Sequence, residues 1–225
     1  MFSEAWWTVS SKVPLSLRER KKQGSMRRLK EAARELMWEK GYDEATTREI
    51  ADRAEIGEAT LFRYVASKLD LFMLVYGEDF EAVIDECAAV EAKLAAEGPT
   101  GEPQVYIDRI VNLYCRLAGL YVRYPSLAYT YVKESFSSET DIGLGGLAHG
   151  DRWYSLLESV IQKAQAAGAF LGSDVGVTAQ NCHALYVHEV LRSHGRRLPA
   201  AGMPERLRWR LESMLEPMAT RRSGF

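Results

Sequence analysis

The sequence predicts an all-α protein, with a small N-terminal unit of three helices followed by a larger helical bundle. Three observations lead there. Apolar residues recur at three- and four-residue spacing through most of the chain. Nowhere is there sustained two-residue alternation, nor an Asn-Gly or Asp-Gly hairpin turn. Glycine and proline fall between the periodic segments, at Gly41, Gly98-Pro99, Pro125, Gly168 and Pro204.

Residues 1–24 read as a flexible basic arm, with Pro14, Gly24 and the cluster Arg18, Arg20, Lys21 and Lys22. Basic arms of this kind can enter a minor groove, although many are merely solvated. The helical pattern begins near Met26, which is also a possible alternative start to Met1. A first helix is expected from about Ser25 to Lys40, because Leu29, Ala32, Ala33, Leu36 and Met37 share one face. Gly41 stands where a helix end favours glycine. After two short helices, a fourth should span about 68–97. A fifth, about 104–124, is apolar on most sides and belongs inside a bundle. A shorter helix runs to about 136, and 137–150 reads as a polar, glycine-rich loop, either a gate to a cavity or only a surface excursion. Three more helices complete the pattern, at about 151–167, 174–195 with Asp174 as N-cap, and 204–218 opened by Pro204.

Composition excludes several classes. The 225 residues are 47% hydrophobic and 27% charged, which is ordinary for a folded domain and unlike disorder. Cys87, Cys115 and Cys182 are odd in number and widely spaced, against a disulfide framework or a cysteine zinc site. No apolar run reaches the roughly 18 residues a bilayer crossing needs, and Met1 to Val9 lacks a signal-peptide core. A cytoplasmic location with no membrane association is therefore expected. His183 and His188 lack the i, i+4 spacing of a helical metal pair, so no metal and no cofactor is expected. No nucleophile–base pair or phosphate loop suggests an enzyme. Net charge is −2, yet residues 1–68 hold 14 basic against 11 acidic side chains and the remainder 15 against 20. A positive end on an acidic body suits a polyanionic partner.

Residues 46–65 concentrate the functional signal. Thr46 and Glu49 have capping-box spacing, so a helix should start just after Thr46. Ile50, Ala51 and Ala54 form its apolar face, Glu55-Ile56-Gly57 makes a tight turn, and a second short helix directs Leu61, Phe62 and Val65 to the core. Two short helices about such a turn form a helix-turn-helix, whose second helix fits a DNA major groove. Its outer side carries Glu58, Ala59, Thr60, Arg63 and Tyr64. Arg63 can donate twice to a guanine edge, Glu58 can accept from a cytosine amine, and Thr60 can reach a base or a thymine methyl. Thr47, Tyr64 and Lys68 carry donors suited to phosphates.

These residues carry a resemblance to the TetR family of transcriptional regulators. The matching positions lie within 27–76: Ala32-Ala33, Gly41-Tyr42, Thr46-Thr47, Glu49-Ile50-Ala51, Ala54, Thr60-Leu61-Phe62-Arg63-Tyr64 and Ser67-Lys68. The resemblance implies phosphate contacts at Thr47, Tyr64 and Lys68, and base-edge positions at Glu58, Ala59, Thr60 and Arg63. Three departures stand out. Glu55 replaces the usual turn glycine and should be forced left-handed, at about 1 kcal/mol. Gly57 replaces a capping serine, and Phe62 replaces a common tyrosine.

Three domains are expected: the arm, a DNA-binding unit over 25–76, and a ligand-binding and dimerisation unit over 77–225. In the last, Tyr114, Cys115, Tyr121, Tyr129, Phe136, Trp153 and Tyr186 are candidates to line a pocket for a small apolar or aromatic effector, against the plainer reading of aromatic core. The resemblance puts a homodimer interface on the last two long helices. It also implies a near-palindromic double-stranded operator and a repressor released by its effector. The alternative is a helical-bundle ligand-binding protein without sequence-specific DNA binding.

Overall fold

The computed structural model describes residues 16–136 and 141–220, with 141–148 as backbone only. Nine α-helices span these residues: α1 (Leu17–Lys40), α2 (Thr47–Arg53), α3 (Glu58–Leu61), α4 (Lys68–Ala96), α5 (Pro103–Arg123), α6 (Pro125–Ser135), α7 (Asp141–Ala166), α8 (Val175–Gly195) and α9 (Met203–Leu215). Short 3-10 turns flank α9, and the sole β feature among the described residues is one antiparallel bridge, Phe170 to Ala219. None of the described helices is long and apolar enough to cross a membrane.

The first helix starts earlier than its apolar periodicity suggests. Ser16 Oγ accepts from the Glu19 amide at 3.2 Å, and the Glu19 carboxylate accepts from the Ser16 amide at 2.8 Å. This capping box starts the helix at Leu17. Gly24, read as part of an arm, is carried inside it at a propensity cost of about 1 kcal/mol. Arg18, Arg20, Lys21 and Lys22 are therefore exposed residues of a helix; residues 1–15, Pro14 included, lie outside the described residues.

Leu29, Ala32, Ala33, Leu36 and Met37 of α1 are buried against α2 and the start of α4. Ile50, Ala51, Ala54, Leu61 and Val65 complete this small core. The expected boundary after residue 76 falls within α4, so the N-terminal unit and the bundle share one helix. Ion pairs reinforce the shared region: Lys30 meets Glu78 at 2.5 Å, and Arg34 bridges Glu78 and Asp79.

In the bundle, α5 contacts α4, α6, α7, α8 and α9. It buries Ile107, Ile110, Val111, Leu113, Tyr114 and Leu117, in keeping with its all-round apolar sequence. The expected loop over 137–150 is corrected in part. From Asp141 the backbone is already α7, while 137–140 lie outside the described residues. Gly143, Gly145, Gly146 and Gly150 each disfavour a helix by roughly 1 kcal/mol relative to alanine. Tertiary contacts overrule that weak preference. Arg152 bonds Glu81 and Asp85 of α4 at 2.5 and 2.6 Å. His149 sits so close over Gly77 that a Cβ there would meet its ring at 2.8 Å.

Candidate functional site

Local sequence builds the helix-turn-helix. Thr46 Oγ1 caps the Glu49 amide at 3.3 Å, and Glu49 returns the bond to the Thr46 amide at 3.0 Å. Lys40 at 2.6 Å, then the Thr46 hydroxyl at 2.6 Å and the Thr46 amide, all donate to the Glu49 carboxylate and hold it down to about 2. The turn then reverses at Glu55, whose φ of 55° is left-handed, as expected for a residue in the glycine position. Gly57 is the N-cap of α3 without a side-chain bond.

Regular helix ends at Leu61, but overlapping turns continue it: the Arg63 amide donates to Thr60 O at 3.1 Å, and the Val65 amide to Leu61 O at 3.2 Å. Leu61 and Val65 are buried, one turn apart on the inner face. Phe62 is 47% exposed, contrary to the expectation that it faces the core. Rotated about 100° from Leu61, it cannot share that face, and it lies beside exposed Arg63. Ala59 is exposed too, whereas Glu58, Thr60 and Tyr64 are half-buried.

Three candidate contacts already have protein partners. The Thr47 hydroxyl donates to Glu58 Oε1 at 2.6 Å, joining the two helices, and Arg48 lies 3.9 Å from the other Glu58 oxygen. Lys68 Nζ donates to the carbonyls of Tyr42, Asp43 and Ala45 at 2.9, 3.3 and 3.1 Å. An ammonium has three donors, and all three serve the loop between α1 and α2. The same group lies 4.4 Å from the centre of the Tyr42 ring.

In the bundle, a cavity of about 110 Å³ opens between α4, α6, α7 and α8. Tyr76, Phe80 and Tyr131 form one wall, with Tyr131 ring centroids 4.9 Å from Tyr76 and 5.7 Å from Phe80. Tyr154, His183 and Tyr186 form the opposite wall; His183 stands 5.2 Å from Tyr154 and 5.8 Å from Tyr186. Burial holds the His183 imidazole down to about 4 and raises the Tyr131 and Tyr186 phenols. Of the candidate pocket residues, Phe136 and Tyr186 line this cavity. Tyr114 and Trp153 stand one layer behind, at 6.1 Å from Tyr186 and 6.3 Å from Phe80.

The other three candidates lie elsewhere. Cys115 points its thiol at the Pro204 carbonyl, 3.9 Å away. Tyr129 stacks on His194 at 3.8 Å. Tyr121 is buried within range of Arg206 and Glu189. Adjacent helix positions diverge by about 100°, so Tyr114 and Cys115 cannot face one cavity. The missed lining residues left a trace in sequence, since Tyr76 and Phe80 are an i, i+4 aromatic pair and Tyr131 follows on α6. Among the described residues no three His, Cys, Asp or Glu side chains gather as a metal site.

An aromatic chain connects cavity and helix-turn-helix. Tyr76 meets Phe72 at 5.6 Å, Phe72 meets Tyr42 at 5.1 Å, and Tyr42 lies under Lys68.

Comparison with known proteins agrees with this geometry. Residues 29–75 match the family model of bacterial regulatory proteins, tetR family. No curated protein sequence matches the chain. Among solved structures, FadR of Thermus thermophilus, a TetR family transcriptional repressor solved with lauroyl-CoA, superposes with a TM-score of 0.67 at 22% identity, covering 89% of this chain and 98% of its own. A protein of Saccharomonospora viridis solved with choline gives 0.65 at 21% identity, with 88% and 100% covered. A TetR transcription regulator of Haloarcula marismortui gives 0.66 at 18%, with 88% and 100% covered. The N-terminal helices, residues 29–75, thus match the tetR family of bacterial regulatory proteins, and the helical body has the fold of solved regulators of that type.

Proposed function

We propose that the chain is a DNA-binding transcriptional repressor that acts as a homodimer on a near-palindromic operator and is released by a small-molecule effector. The observation that carries this reading is the outer surface of the second helix-turn-helix segment. Ala59 and Arg63 stand exposed, with Thr60 and Tyr64 beside them, on a turn held by a capping box and a buried Leu61. Arg63 is the base-reading candidate, and Thr47 and Tyr64 are the phosphate candidates. Lys68 supports the site by holding the α1–α2 loop.

Exposed apolar side chains favour a dimer through α8 and α9. Trp209 is 68% exposed, and Val177 and Leu191 lie on one side of α8, about four turns apart. Two-fold pairing there would set two reading heads on successive major grooves. The cavity between α4, α6, α7 and α8 is the candidate effector site; the solved neighbours with lauroyl-CoA and choline favour a small-molecule ligand in such a fold. Its aromatic wall is continuous with Tyr42 and Lys68, so a ligand that shifts Tyr76 acts on the reading head through packed rings. Linkage then requires DNA to weaken the ligand as much as ligand weakens DNA.

The test is selection of bound genomic fragments by the purified protein at near-physiological salt. Recovery of a near-palindromic site is the expected result. A folded, dimeric protein that recovers no preferred sequence would refute the regulator reading in favour of a ligand-binding bundle.

A further inference from the structure

The cavity's chemistry narrows the ligand class, an inference that rests on reading the cavity as the effector site. We infer that it takes a compact organic cation of the alkylammonium type, held between two aromatic walls with a carboxylate at the rim. Three observations converge on this.

The walls are aromatic on both sides: Tyr76, Phe80 and Tyr131 from α4 and α6, Tyr154, His183 and Tyr186 from α7 and α8. Ring faces attract a cation through their quadrupole, most strongly where water is excluded, and several rings around one site are how quaternary ammonium groups are recognised.

The sole formal charge among the lining residues is Asp151, which is exposed and stands at the rim. Among the described residues no lysine or arginine lines the cavity. Two cations adjoin lining residues in sequence: Arg152 is turned to Glu81 and Asp85 on α4, and Lys133 pairs with Glu134. An anionic ligand would therefore meet aromatic faces and a carboxylate with no cation to balance it, an expensive desolvation. The walls themselves stay uncharged, because burial keeps His183 deprotonated and the Tyr131 and Tyr186 phenols protonated.

Size and polarity agree. At about 110 Å³ and open at the rim where Asp151 stands, the cavity takes one alkylammonium head group and leaves the rest of the ligand toward solvent, so its ligand is compact. His183 Nδ1 is buried without a hydrogen-bond partner among the described residues. A buried polar atom left open in this way favours a ligand carrying one hydroxyl or similar group beside its charged end.

The test compares two nearly isosteric probes by isothermal titration of the full chain at neutral pH: choline, and 3,3-dimethylbutan-1-ol, in which a carbon replaces the ammonium nitrogen. Choline is expected to bind at least about tenfold more tightly than the neutral alcohol. Asp151→Asn, at an exposed position, should weaken choline about threefold and leave the alcohol unchanged. Tyr154→Leu, checked by thermal melting, should weaken choline by about tenfold. Equal binding of choline and the alcohol would overturn the inference, as would tighter binding of lauroyl-CoA or no binding of choline. Repeating the titration with operator DNA separates the two readings. Choline that binds but leaves DNA affinity unchanged upholds the ligand class and refutes the effector reading. DNA release by the alcohol or lauroyl-CoA, but not by choline, does the reverse.

Discussion

The hydroxyl of Thr47 donates to the carboxylate of Glu58 at 2.6 Å, so the starts of the two helices of the helix-turn-helix are joined by one bond. Both groups are candidates for DNA contact, and in the free protein each satisfies the other. A carboxylate at this surface repels phosphates in every sequence, but it can reward a cytosine amine in the right one. It is therefore a discriminating group rather than an adhesive one.

Glu58→Gln should raise affinity for random-sequence duplex about three- to tenfold and lower the ratio of operator to random binding. Titration of both duplexes at one salt concentration measures this. Unchanged random-sequence affinity would show that Glu58 lies too far from the DNA to matter.

Glu55 occupies a left-handed conformation at φ 55°, where a β-carbon is strained. Glu55→Gly removes that strain but makes the unfolded chain freer. A net stabilisation of up to about 1 kcal/mol is expected, with Glu55→Ala giving none. Urea melts of the three proteins decide it, and equal stability of the glycine and alanine variants would exclude backbone strain as the cause.

That strain was readable because it depends on local chemistry. Thr46 with Glu49, Gly41, Asp174 and the inner face of α1 could be read in the same way, since each signal lies within one or two turns of chain. The start of α1 is also a local signal, the Ser16–Glu19 box, but Pro14 and Gly24 on either side of it argue against a helix there. Tertiary facts were not legible. The helical backbone of 141–150 runs against its glycine content, and the close packing of His149 on Gly77 joins segments far apart in sequence. The cavity was legible only in part for the same reason: aromatic residues from α5 to α8 stand out as a set, while the neighbours of each ring depend on helix rotation, and of that set only Phe136 and Tyr186 line it.

Lys68 illustrates the limit most sharply. At the first turn of α4 its charge faces the positive end of the helix dipole, an unfavourable place. Three loop carbonyls compensate. Lys68→Met should destabilise the protein by about 1–3 kcal/mol, because those carbonyls lose a charged donor. A melting curve that does not move, with DNA affinity reduced, would instead mark Lys68 as a phosphate contact.

Arg63 should behave in the opposite way. It is exposed and its side chain has no hydrogen bond or ion pair among the described residues, so Arg63→Ala should leave melting within about 0.5 kcal/mol. Operator affinity should fall by about 1–3 kcal/mol with relaxed preference at one base pair. Random-sequence affinity should fall less. A uniform loss across all sequences would assign Arg63 to the phosphate backbone instead.

His183 makes stability depend on pH. Burial among Tyr114, Tyr154 and Tyr186 lowers its imidazole from 6.5 to about 4. The unfolded chain therefore binds the proton more readily, and stability is lost as pH falls from about 6.5 toward about 4, below which the loss levels off. Between roughly pH 7 and pH 5 the expected loss is about 2 kcal/mol. His149, also lowered mainly by burial, adds a loss of the same sign. His183→Gln isolates the larger contribution: its urea stability should change less over that interval than the parent protein's. An identical pH dependence in the two would mean that water reaches the imidazole and that the aromatic wall is open at His183. A cation held against that wall should share the same window, since a protonated His183 would repel it.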